Sequence, residues 1–148
     1  MHTEITHPCV QHKLALIRDV ETGHKKFREL ATEITMFVCY EALKEVTVRN
    51  VDVQTPLATA SCRIIDEDIV VVPILRAGIG MLDGILSLVP SARVGFIGLY
   101  RDERTKEPVT YYNRVPPQIE NGLCIVIDPM LATGGSTGAA IDALKEDG

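Results

Sequence analysis

The spacing of apolar positions changes along this chain and sharpens from residue 69 onward. In the first part, Phe27, Leu30, Ala31, Ile34, Phe37, Val38 and Ala42 recur at helical spacing, while Lys25, Lys26, Arg28, Glu29 and Glu33 occupy the remaining positions. That pattern predicts an amphipathic helix over 25–44 that packs on a core or on a partner subunit. Residues 12–18 predict one or two helical turns. Residues 45–68 carry a mixed signal. Val46, Val48, Val51 and Val53 suggest an extended strand with a slip, Pro56 breaks it, 57–62 is weakly patterned, and 66–68 is an acidic, solvated turn.

From Ile69 the chain alternates between strand and helix signals. Ile69 to Val72 is a continuous β-branched run, as in a strand covered on both faces. Helices are predicted over 77–88 and 136–146, and further strands over 93–99 and 123–127. Strand–helix alternation implies right-handed βαβ units and a parallel sheet. Between the second and third of these strands, 100–122 is polar and contains Pro108, Pro116 and Pro117. Within it Thr110 to Asn113 resembles one arm of a hairpin, and a long excursion at the end of a parallel strand is where lids and binding loops sit. The expectation is one α/β domain over 1–148, a parallel sheet flanked by helices. It has an N-terminal helical arm (1–45), a core (69–148) and a hairpin excursion at about 100–117.

Composition narrows the chemistry. Hydrophobic residues make up 46% of the chain and there is no Trp, so the core is aliphatic. The net charge is -5 and no Lys/Arg run occurs, which gives no support to a nucleic-acid surface. Cys9, Cys39, Cys62 and Cys124 form no C-x-x-C pair and are read as free thiols of a reducing compartment. The histidines all lie in the first 24 residues and are read as surface groups rather than a metal cluster. The N-terminus is polar, unlike a signal peptide, and no apolar run approaches the about 20 residues of a membrane span. A cytoplasmic protein without membrane partners is expected.

The strongest chemical signal begins where the 123–127 strand ends in a carboxylate. Asp128 is followed by Pro129, Met130, Leu131, Ala132, Thr133, Gly134 and Gly135, and then Ser136 and Thr137 open a helix. A helix N-terminus presents N–H groups and partial positive charge. Two glycines let the backbone approach a ligand, and the hydroxyls of Thr133, Ser136 and Thr137 suit phosphate oxygens. Asp128 is placed to accept from sugar hydroxyls. Together these residues predict a phosphate nest beside a ribose clamp; the plainer alternative is a Gly-rich turn capped by Ser136. A Walker loop is excluded, since no Lys follows Gly135. Gly78, Gly80 and Gly84 are spaced one residue too long for a dinucleotide fingerprint, and Gly98 stands where that fingerprint needs an acid.

Two arginines join this site. Arg76 lies at the junction after the 69–72 strand, and in one parallel sheet it faces the same crevice as Asp128. Its guanidinium suits two-pronged binding of phosphate. Arg101, in Leu99-Tyr100-Arg101-Asp102-Glu103 after the next strand, gives a second cation at that edge.

Residues 128–136 resemble the phosphoribosyl pyrophosphate motif of type I phosphoribosyltransferases. Asp128-Pro129, where most members carry two acids, is the form found in the uracil phosphoribosyltransferase family. Residues 71–78 resemble that family's pyrophosphate loop, and Tyr100-Arg101 with the hairpin to Tyr112 also matches. So do His7-Pro8, His12-Lys13-Leu14, Phe27-Arg28-Glu29-Leu30 and Tyr40-Glu41-Ala42. The resemblance runs over about 7–148 and is poorest over 44–68.

The resemblance implies a type I phosphoribosyltransferase-like fold and the transfer of ribose 5-phosphate from 5-phosphoribosyl 1-pyrophosphate to N1 of uracil, giving UMP and pyrophosphate. It assigns the 5′-phosphate to 132–137, the ribose hydroxyls to Asp128, and the pyrophosphate to Arg76 and Arg101. Mg²⁺ is expected to be held mainly through the substrate's pyrophosphate, GTP is an expected effector, and a homodimer or higher oligomer is expected. Family members continue past the helix ending near 145 with the segment that reads uracil. This chain is therefore expected to be a fragment or shortened form lacking that half, and its turnover by itself is the point to test. A rival of another class is a non-catalytic phosphoribosyl pyrophosphate- or nucleotide-binding regulatory module on the same scaffold.

Overall fold

The structure, a computed structural model, describes every residue except Met1, Glu103, Lys106, 118–121 and 147–148. Glu103 and the last part of the 100–122 excursion therefore lie outside the described residues. The elements run α1 (Pro8–Arg18), α2 (His24–Ala42), β1 (Val48–Gln54), β2 (Thr59–Ile65), β3 (Ile69–Leu75), α3 (Ile79–Leu88), β4 (Arg93–Val94), β5 (Phe96–Arg101), β6 (Pro108–Arg114), β7 (Leu123–Ile127) and α4 (Gly135–Glu146).

β3 is the centre of the molecule. Its β-branched run is buried from Ile69 to Ile74 because it is flanked on both edges and covered on both faces. On one edge it pairs in parallel with β7, from Ile69↔Leu123 to Pro73↔Ile127. On the other it pairs in parallel first with β4 and then with β5. The predicted 93–99 strand is thus divided, and Gly95 N–H donates across to Val71 O at 3.0 Å. Pro73, which has no N–H to give a ladder, stands opposite this interruption. Beyond β5 lies β6, antiparallel.

Side chains alternate along β3. Val70, Val72 and Ile74 join Ile97, Ala140 and Leu144 under α4. Ile69 and Val71 join Ile85, Val89, Ile127 and Cys39 under α3 and α2. Each fully buried Val or Ile here contributes about 1.5–3 kcal/mol relative to exposure. Gly84 of α3 lies so near α2 that a Cβ would be 2.6 Å from Thr32 O. Thr35 is buried at that crossing with its hydroxyl donating to Ala31 O at 2.8 Å.

Two N-terminal expectations need correction. The first helix is longer than one or two turns. Pro8 stands in its first turn, where a missing N–H costs nothing, and His7 Nδ1 accepts from Cys9 N–H at 3.2 Å. Residues 45–68 hold two strands, not one slipped strand. β1 and β2 form an antiparallel hairpin with Val48 opposite Ile65 and Gln54 opposite Thr59. Pro56 lies in its turn rather than breaking a strand, and Thr55 Oγ1 accepts from Leu57 N–H and Ala58 N–H at 3.3 and 3.1 Å. Among the described residues no helix is long and apolar enough to cross a membrane.

Candidate active site

The site lies at the C-terminal ends of β3, β5 and β7, and its placement follows from strand order. β7 ends in Asp128, whose Oδ1 accepts from Met130 N–H at 3.4 Å and turns the chain into the loop. Gly134 sits at φ +77°, a left-handed value that glycine adopts freely. α4 then begins at Gly135, and Gly138 N–H closes onto Gly134 O at 2.8 Å. The loop and first turn enclose a cavity of about 70 Å³, lined by Arg101, Asp128 and 130–137. Pro129 is exposed beside it.

Arg101 reaches this cavity from the other side of β3. A Cβ built on Gly135 would stand 3.6 Å from Arg101 Nη2, so the guanidinium lies directly against the helix start. The pairing of its strand with β6 is interrupted by a bulge. Gly98 faces Tyr112 and Leu99 faces Thr110, which leaves Tyr111 as the extra residue. The Tyr111 ring covers Gly98, where a Cβ would meet its Cζ at 2.6 Å, and stands 6.3 Å from the Tyr100 ring. Just past Arg101, Asp102 accepts from Thr105 N–H at 2.8 Å and Arg104 N–H at 2.9 Å. These backbone donors, Thr105 first, hold its carboxyl below the usual carboxylate range.

Arg76 follows β3, the immediate neighbour of β7. It is exposed in a tight turn with a cis Leu75–Arg76 peptide, closed by Gly78 N–H donating to Ile74 O at 2.8 Å. The turn rests on β7, and a Cβ on Gly78 would be 2.6 Å from Ile127 O. So the structure gathers Asp128, Arg101 and 130–137 around one cavity. Arg76 stands on the adjoining turn rather than in the cavity wall. Two glycines pack this edge by close approach: Gly78, just past β3, and Gly98, inside β5. On sequence alone Gly78 stands in a rejected dinucleotide fingerprint and in the 71–78 loop, Gly98 stands where that fingerprint needs an acid, and neither is given a packing role. Glycine in or just past a strand, where another group approaches the backbone closely, is the signal available for both.

A larger groove of about 700 Å³ runs beside α2, lined largely by apolar groups such as Met36, Phe37 and Leu88. Its Lys13 and Glu33 pair with each other at 2.7 Å. The smaller cavity carries the hydroxyls, the helix terminus and a guanidinium, Arg101, with no acidic partner among the described residues, which phosphate chemistry needs.

Comparison with known proteins accords with this geometry. The family model described as uracil phosphoribosyltransferase matches residues 4–148. A uracil phosphoribosyltransferase of Clostridium botulinum is 49% identical over 146 residues, which is 98% of this chain and 70% of that protein. One of Symbiobacterium thermophilum is 52% identical over 145 residues, 97% of this chain and 69% of that protein. Among solved structures, the AQ2163 protein from Aquifex aeolicus superposes with a TM-score of 0.92 at 37% identity, covering 99% of this chain and 71% of that one. A purine phosphoribosyltransferase from Pyrococcus horikoshii shares the fold alone, with a TM-score of 0.55 at 16% identity over 80% of this chain and 65% of its own. A strand-end aspartate, a glycine–hydroxyl loop and an opposed arginine, in a chain matched almost end to end by these relatives, place it in the uracil phosphoribosyltransferase family.

Proposed function

We propose that this chain transfers ribose 5-phosphate from 5-phosphoribosyl 1-pyrophosphate to N1 of uracil, releasing pyrophosphate. The observation that carries the reading is the convergence of Asp128, the 130–137 loop and Arg101 on one cavity. In it, backbone N–H groups and hydroxyls of 132–137 hold the 5′-phosphate against the start of α4. The Asp128 carboxylate accepts from the ribose hydroxyls. Arg101, with Arg76 on the adjoining turn, neutralises the pyrophosphate.

Departure of pyrophosphate leaves positive charge on the ribose ring. What the protein supplies is therefore charge stabilisation of the leaving group and alignment of the nucleophile. Asp128, at the ribose, stabilises that developing charge. The hairpin of β5 and β6, which carries Arg101, closes over the substrate and excludes water.

Mg²⁺ fits the site as part of the substrate complex. Magnesium characteristically takes one or two carboxylates plus substrate phosphates, and this strand end offers a single carboxylate beside the phosphate cradle. Among the described residues no group of three or more His, Cys, Asp or Glu could hold a metal. Self-association is supported by apolar groups left in solvent, Leu57 at 96% exposure and Val20 at 92% being the most open among the described residues. GTP as effector and a cytoplasmic setting follow from the family resemblance and the composition.

The test is incubation with labelled uracil, 5-phosphoribosyl 1-pyrophosphate and Mg²⁺, with UMP as the product followed. The expected result is UMP formation that falls at least about tenfold in Asp128→Asn, the cost of one charge-assisted hydrogen bond. Binding of 5-phosphoribosyl 1-pyrophosphate without turnover would instead mark a non-catalytic module, and absence of binding would overturn the reading.

A further inference from the structure

We infer that Gly78 is a positioning residue that joins the two halves of the ligand site. Its bare Cα lets the Arg76 turn sit on the peptide leading into Asp128, so that the two loops keep one spacing. The inference rests on the assignment of Arg76 and 128–137 made above and deepens it.

Gly78 has φ -60° and ψ -22°, ordinary helical values that any residue adopts. Conformation therefore does not require glycine at this position, but space does. A Cβ on Gly78 would meet Ile127 O at 2.6 Å, Ile74 N at 2.7 Å and Ile74 O at 2.9 Å. All three are backbone atoms, so no side chain can swing aside to make room.

The neighbours are equally constrained. Ile74 belongs to β3 and Ile127 to β7, and the two strands are in register up to Pro73↔Ile127. Ile127 O is the carbonyl of the peptide that leads into Asp128. To admit a methyl group, that peptide and the Arg76 turn must part from 2.6 Å to beyond 3.0 Å, and to 3.4 Å for ordinary contact. The parting opens between the group assigned to pyrophosphate and the group assigned to ribose. A ligand with one end on each loop is sensitive to this gap, whereas a ligand that touches one loop is not.

The contrast with Gly80, two residues on, is direct. A Cβ there meets nothing within 4 Å.

The experiment measures three affinities by titration calorimetry on the full chain with Mg²⁺: 5-phosphoribosyl 1-pyrophosphate, ribose 5-phosphate and pyrophosphate. Gly78→Ala is expected to bind ribose 5-phosphate and pyrophosphate within about threefold of the unsubstituted chain. It should bind 5-phosphoribosyl 1-pyrophosphate roughly 10- to 100-fold more weakly, the scale of loss expected for an ångström-sized misplacement. Gly80→Ala is expected to bind all three as the unsubstituted chain does. Unchanged affinity for the bipartite ligand in Gly78→Ala overturns the inference, and so does an equal loss for all three ligands, which a merely structural role would give.

Should Gly78→Ala not fold, amide hydrogen exchange on the unsubstituted chain decides. Ribose 5-phosphate alone is expected to slow exchange over 78–80, and no change there overturns the coupling. If the unsubstituted chain binds neither fragment, the site assignment fails first. If it binds both and the variant keeps full affinity for the bipartite ligand, only the role of Gly78 fails.

Discussion

Two strand-to-helix junctions at the same sheet edge both depend on glycine, for opposite reasons. After β3, Gly78 has ordinary backbone angles and no room. After β7, Gly134 has room, its nearest neighbour to a built Cβ being Leu131 Cδ1 at 3.8 Å, but its φ is +77°. One junction is a packed seat and the other an open cradle. A cradle must expose its backbone to a ligand, so its shape is set by dihedral preference. A seat must transmit position between two strands, so its shape is set by contact. The difference teaches that the same residue type, a few residues from the same ligand, fails in different ways when substituted.

The hardest way to break the seat is Gly78→Val. Forcing a β-branched side chain against three backbone atoms is expected to destabilise the fold by about 3 kcal/mol, the upper range for overpacking. The denaturation midpoint in urea would report it, and an unchanged midpoint would mean the seat is soft. The cradle breaks less severely. Gly134→Ala is expected to cost about 1–2 kcal/mol for the left-handed conformation, with weakened ribose 5-phosphate binding and pyrophosphate binding retained. Equal loss of both ligands would show that the two junctions are not separable.

A smaller change of opposite sign sharpens the contrast. Gly80→Ala, in the first turn of α3 with open space around it, is expected to stabilise by up to about 1 kcal/mol through helix propensity. Thermal unfolding of Gly78→Ala and Gly80→Ala side by side would then show shifts in opposite directions.

The smallest expected effect concerns the hairpin that carries Arg101. The Asp102 carboxyl is held below its usual range by Thr105 N–H and Arg104 N–H. A lowered folded pKa stabilises above the unfolded value, and the contribution is lost as pH falls through the folded value. Asp102→Ala is therefore expected to lower stability slightly at neutral pH and to match the parent well below the carboxylate range. A difference that persists in acid would assign the effect to packing instead.

Much of the site was legible because its chemistry is local. Asp128, Thr133, Gly134, Gly135 and Ser136 are consecutive or nearly so, and a strand, a loop and a helix start can be read from one short window. β7 and α4 emerged close to their predicted bounds for the same reason. The 45–68 stretch resisted, since the β1–β2 hairpin packs mainly on itself. Its positions are mostly exposed or half-buried, so no strong in–out alternation is imprinted on it. The division of the 93–101 strand was equally hidden, because it reflects Pro73 on a neighbouring strand rather than anything at Gly95 alone.

By itself the amino-acid order determined the alternation of strands and helices, the aliphatic core and the phosphate loop, because each is a property of adjacent residues or of a short period. Only the tertiary structure decided which arginine lines the cavity. Arg101 and Gly135 are far apart in the chain, and the order of β5, β3 and β7 brings them together. Only it decided, too, that Gly78 is a matter of space between strands, since the nearest of the three atoms that leave no room for a side chain, Ile127 O, belongs to another strand. Contact between strands paired side by side depends on the distance between backbones, and no local pattern encodes that distance.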